Sequence, residues 1–131
     1  MDPLVQRGID LFNHGEFFEC HEVLEEAWTP ERDPRRLFLQ SLIHVAVGFY
    51  HSRRDNPVGA CRQLRKALRK LAPYRPSCEG IDTERLFHEA QAVLKQIEAG
   101  ETVTVFPRMR LADPELDGKK RSVIDEEVGE N

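Results

Sequence analysis

The chain has 131 residues, 40% hydrophobic and 32% charged, with a formal net charge of −4. That length and composition suit one compact domain with a tail, and no apolar run approaches the roughly 20 residues of a membrane span. Its cysteines, Cys20, Cys61 and Cys78, form no CxxC and leave one odd, which argues against a disulfide framework or a zinc knuckle. With no signal-like N-terminus, a reducing cytoplasm is the expected setting.

Five helices are predicted, in an all-α bundle. The first covers Pro3–Asn13 and stops at Gly15, where glycine tolerates the left-handed turn of a helix end. The second covers Glu16–Trp28. Phe17, Cys20, Leu24, Ala27 and Trp28 form its apolar side, while Glu19, Glu22 and Glu26 face solvent. His21 sits at the edge of the apolar arc, with Glu25 one turn on. Trp28 reads first as a residue closing the bundle and second as a protein contact.

The third helix, Pro34–Arg53, follows Asp33-Pro34, a good cap before a proline at the first helical position. Apolar residues from Phe38 to Tyr50 cover most of its circumference, so it should be the central, surrounded helix. Gln40, His44 and His51 nevertheless fall within about 40° of one another on it. Polar groups on a buried helix need partners, because an unpaired one costs roughly 1–3 kcal/mol. The expectation is that His21 and Glu25 of helix two meet this Gln40/His44/His51 stripe across a helix–helix contact.

Asn56-Pro57 caps the fourth helix, Pro57–Ala72, which carries Arg62, Arg65, Lys66, Arg69 and Lys70 on its polar side. Pro73 and Pro76 end that segment, and Asp82 caps the fifth helix, Thr83–Ala99, with Glu84 in its first turn. Leu86, Ala90, Val93, Leu94 and Ile97 make its buried stripe, and His88 and Lys95 point outward. Gly100 stops the helix, and Thr102–Phe106 is β-like but too short to define a sheet. The bundle domain is expected to be 1–112. From 113 to 131 the chain becomes an acidic, mobile tail that holds the whole net charge.

The run Leu11-Phe12-Asn13-His14-Gly15-Glu16-Phe17-Phe18-Glu19-Cys20-His21-Glu22-Val23-Leu24-Glu25-Glu26-Ala27-Trp28 resembles the opening signature of the domain of unknown function 309 family. Phe38-Leu39-Gln40, the helix ending Tyr50-His51, Asn56-Pro57 and Gly59-Ala60 continue the resemblance as far as about Leu71. It implies a small all-helical protein with no established activity, although the family has carried the label of predicted metal-dependent hydrolases. The matching polar positions are Asn13, Glu16, His21, Glu22, Glu25, Gln40 and His51. Where that family often has glutamine in the middle of helix three, this chain has His44.

Two functional readings follow. In the first, His21, Glu25, His44 and His51 bind one divalent metal (Zn, Mn or Fe) and activate water for hydrolysis, with Asn13, Glu16, Glu22 and Gln40 as binding or network residues. The second is plainer and takes precedence: the same groups form a structural hydrogen-bond network in a non-catalytic binding or adaptor module. Whether the chain is an enzyme is left open. Its partner would be a small molecule, another protein or a second copy. No membrane is implied, and nucleic acid is the less favoured partner because the basic face of helix four has no interleaved aromatics.

Overall fold

A computed structural model describes residues 1–32 and 34–113. The elements, in chain order, are α1 (Pro3–Asn13), α2 (Phe17–Trp28), α3 (Arg35–Arg53), α4 (Pro57–Leu71), a single tight turn of helix (Ala72–Tyr74), β1 (Ser77–Cys78), β2 (Ile81–Asp82) and α5 (Thr83–Glu98). The fold is the expected all-α bundle of five helices. Its only sheet among the described residues is a two-residue antiparallel hairpin that pairs Ser77 with Asp82 and Cys78 with Ile81. None of these helices is long and apolar enough to cross a membrane.

The helix ends follow from local chemistry. Asp2 accepts a bond from the Leu4 amide, Asn56 from Gly59 and Asp82 from Arg85, so α1, α4 and α5 each start on a side-chain cap. Gly15 and Gly100, with φ of 79° and 81°, sit just past the ends of α1 and α5 in the conformation that side-chain-bearing residues avoid. The start of α3 differs from expectation. Pro34 lies just outside the helix, at a position with no side-chain cap bond, and Asp33 lies outside the described residues. The acidic tail from 114 onward also lies outside them.

Consecutive helices pack as neighbours, with α3 between α2 and α4 and the largest interface between α3 and α4. Gly48 permits that closeness. A Cβ there would fall 2.8 Å from Leu64 Cγ, well inside ordinary carbon contact distances. Phe38, Leu39, Leu42, Val45, Ala46 and Phe49 of α3 are fully buried, as its all-round apolar pattern requires.

The segment after α5 is extended without being a strand. Thr102–Phe106 pairs with nothing, and only Leu111 makes an isolated bridge, to Ile81. Its far end is fastened by backbone bonds, Asp82 N–H to the Arg110 carbonyl and Ala112 N–H to the Gly80 carbonyl, both 2.8 Å, and the rest by side chains. Phe106 packs at 5.4 Å from Phe17 and 5.1 Å from Phe49, and the Asn13 amide takes both backbone groups of Met109 at 2.9 and 2.8 Å. On the opposite edge, Arg35 joins Asp2, Glu31 and Glu79, tying the chain's start and the hairpin to α3. Burial would raise the Asp2 carboxyl, but the Leu4 amide and Arg35 outweigh it and hold the group below its usual range.

Candidate functional site: a polar stripe divided between two neighbours

The α3 stripe exists, but only its His51 end meets His21 as expected, and the other end turns to α4. Gln40 and His44 face α4. His44 Nδ1 lies 2.8 Å from Gln63 Oε1, and its Nε2 lies 3.0 Å from Lys70 Nζ, which also reaches Gln40 Oε1 at 2.7 Å. An ammonium can only donate, so Nε2 must accept and Nδ1 must carry the proton that goes to Gln63. The imidazole is therefore neutral, with one tautomer fixed by its neighbours.

Electrostatics agree with this assignment. Burial pushes His44 below the ordinary imidazole range; the Gln63 bond opposes that, while Lys70, Lys66 and Arg69 reinforce it. Lys70 is lowered too, by burial first and then by Arg69 and Lys66. The wheel angle of Lys70 predicts the solvent side of α4. Its four-carbon stem instead bends the ammonium back to α3, which a wheel built on Cα positions does not register.

His21 and His51 meet elsewhere. With Phe17, Phe18, Val47 and Tyr50 they border a small cavity of about 150 Å³ between α2 and α3. His21 Nδ1 donates to the Phe18 carbonyl at 2.8 Å, and its Nε2 lies 3.8 Å from Glu25 Oε2, beyond hydrogen-bond distance. On the other side, Asn56 is oriented by its cap, since Oδ1 takes the Gly59 amide at 3.0 Å. Its amide nitrogen then faces His51 Nδ1 at 3.4 Å, a long bond that favours the Nε2–H tautomer. The walls are mostly ring faces: Phe18 lies 5.0 Å from the His21 ring and 5.4 Å from the Tyr50 ring.

The four residues named as metal ligands therefore do not form one ligand set. His44 has both ring nitrogens committed, one of them to a cation that would repel a metal ion. It also lies seven residues before His51, about 10 Å along the helix axis. Glu25 is half-exposed beside His21. Among the described residues, no group of three or more His, Cys, Asp or Glu side chains is placed to hold a metal ion. The donor set present does not fit the metal that the resemblance implied.

The remaining candidates separate as well. Asn13 anchors Met109, as above. Glu16 precedes α2 without a side-chain cap bond, and Glu22 is exposed on the helix face away from the core. Gln63 and Lys70 complete the His44 network and were missed. A usable signal was present, because α3 and α4 are joined by only Arg54–Asn56, and so short a link makes antiparallel neighbours. Trp28 packs against the core as expected, with the Arg36 guanidinium 4.0 Å over its ring.

Comparison with known proteins places this geometry. Residues 5–63 match the family model described as "Domain of unknown function (DUF309)", the family that the residues resembled. "Uncharacterized protein YpuF" of Bacillus subtilis (strain 168) is 40% identical over 88 residues, covering 63% of this chain and 49% of the relative. An "Uncharacterized protein" of Aquifex aeolicus (strain VF5) is 24% identical over 98 residues, or 74% of this chain and 29% of the relative. The chain thus spans about half or less of the length of these curated relatives. The family match takes in α1 to α3 and the first half of α4, so it includes Gln63 and His44 but stops short of Lys70.

Proposed function

We propose that this chain, with its domain of unknown function 309 at residues 5–63, is a non-catalytic helical binding module. The observation that carries this reading is the closed chain Gln63–His44–Lys70–Gln40, in which every polar group of the α3 stripe at that end has a partner on α4. Such a network fixes the register of two packed helices and commits both ring nitrogens of His44. At the other end of the stripe, the His21–His51 cavity is a small, mostly apolar recess suited to a compact group rather than a charged one.

Metal-assisted hydrolysis is the second reading. One observation favours it: His21 and Glu25 are one helical turn apart, and His51 borders the same cavity. Against it, these three side chains do not converge as a group that could hold a metal ion among the described residues. Elemental analysis of untagged protein, beside a His21→Ala/His51→Ala variant, decides between the readings. The binding-module reading expects no stoichiometric Zn, Mn or Fe in either protein, and no thermal stabilisation by added metal. Near-stoichiometric metal lost in the double variant would overturn it.

A further inference from the structure

A second recess lies away from the histidines, along α4 where it meets the end of α5. The basic run that looks continuous in sequence has been sorted by the fold. Arg53 turns to the Gly15 carbonyl and the Phe17 ring, Arg54 stands over Tyr50, and Lys70 is drawn inward to His44. The four cations that remain occupy successive turns of one helix, a line of charge about 10 Å long.

Among the described residues, that line is neutralised only in part. Arg65 pairs with Glu98 at 2.9 Å, but Arg62, Lys66 and Arg69 make no ion pair with any described residue. The acids of α2 are not available to them, since α2 and α4 lie against α3 and no α2 carboxylate pairs with an α4 cation. Their field reaches inward as well, because Lys66 and Arg69 both disfavour the charged forms of His44 and Lys70.

We propose that this α4–α5 groove binds the phosphate backbone of a nucleic acid. A strand presents about one charge per 3.4 Å of helix axis, so a 10 Å array of cations faces roughly three phosphates. Guanidinium groups match phosphate oxygens in a planar, two-pronged geometry that an exposed lysine alone does not supply. The groove contains no aromatic side chain, so bases have nothing to stack on and recognition is independent of sequence. This inference shares no residue with the histidine cavity and stands whether or not that cavity holds a metal.

The test is fluorescence anisotropy of the full chain with a fluorescein-labelled DNA duplex of about 20 base pairs, at about 50 and 200 mM salt. Three phosphate contacts predict a wild-type affinity that falls about 40-fold between those salts. Arg62→Glu/Arg69→Glu should weaken binding at the lower salt by at least about tenfold, and Arg62→Ala/Arg69→Ala in the same direction. Arg7→Glu/Arg108→Glu, with the same change in net charge on exposed residues elsewhere, should stay within about twofold of wild type. No binding by wild type at the lower salt, or equal weakening by the two reversals, overturns the proposal. Displacement of the duplex by polyglutamate at equal charge, or binding seen only after Asp125→Asn/Glu126→Gln/Glu127→Gln, overturns it too. Those results would assign the groove to an acidic protein partner or to the chain's own acids.

Discussion

Replacing His44 with alanine probes the α3–α4 network at its centre. The imidazole makes two bonds, 2.8 Å to Gln63 and 3.0 Å to Lys70. A neutral hydrogen bond contributes about 0.5–1.5 kcal/mol net and one to a charged group about 1.5–3 kcal/mol. Both bonds are only partly buried, so water recovers some of each loss and the low ends of those ranges apply. Alanine also returns roughly 0.6 kcal/mol of helix propensity. The net loss is then about 1.5 kcal/mol, or a melting temperature lower by about 5 °C in a domain of this size. Urea unfolding at about pH 7.5, where the imidazole is neutral, measures it. Pairing His44→Ala with Lys70→Met, which keeps the stem and removes the charge, should give a coupling energy of about 1 kcal/mol. Losses that add to within about 0.3 kcal/mol would show that the two side chains do not interact and would refute the network.

Other outcomes follow from single features. Because the folded imidazole titrates below 6.5, the unfolded chain binds the His44 proton first as pH falls. Its contribution is fully present above pH 6.5 and is lost as pH falls through the lowered folded value, so the urea-midpoint gap between wild type and His44→Ala should narrow on acidification. Asn13→Ala removes both bonds to the Met109 backbone and should speed hydrogen exchange at that amide about tenfold; unchanged exchange would mean that Phe106 packing and the backbone bonds at Arg110 and Ala112 hold the segment without Asn13. Gly48→Ala, which gains about 1 kcal/mol in an open helix, should instead cost about 1 kcal/mol here because its methyl meets buried Leu64; a stabilised variant would disprove the close approach. Burial pushes the Cys20 thiol up to about 12, and burial with Glu79 pushes Cys78 up to about 11, so a disulfide reagent should label Cys61 first; faster labelling of Cys78 would contradict the structure.

Much of this fold can be read without coordinates because its signals are local. Caps at Asn56 and Asp82, glycines at 15 and 100 and the one-sided apolar stripes of α4 and α5 all act within a turn or two of chain. The all-round apolar surface of α3 likewise identifies the central helix. The face that meets each neighbour is not local information. The stripe of Gln40, His44 and His51 was correctly seen as needing partners, but a wheel cannot say which of α2 and α4 supplies them. Length also misleads, since Lys70 counts as solvent-facing at its Cα while its ammonium lies between two α3 side chains. The Asn13–Met109 bond joins residues 96 positions apart, and no short-range pattern marks it. Cys78 shows the same limit: it follows Pro73 and Pro76 in sequence, yet the hairpin half-buries it.

The choice between a network and a metal site at position 44 turns on what the position asks of its side chain. A neutral imidazole offers one donor and one acceptor on opposite sides of a ring, and here both are used by α4. A glutamine, the residue that the family resemblance places there, also offers a donor and an acceptor, on one amide. It could therefore receive the Lys70 ammonium and give a proton to Gln63 with little change in chemistry. A metal site makes the opposite demand, since imidazole nitrogen is a common ligand and a neutral amide a poor substitute for it at zinc. A His44→Gln variant that keeps the stability of wild type would thus fit a hydrogen-bonding requirement at this position and not an obligate ligand. The lysine points the same way, because a protonated amine 3.0 Å from Nε2 occupies the place and the charge that a cation would need.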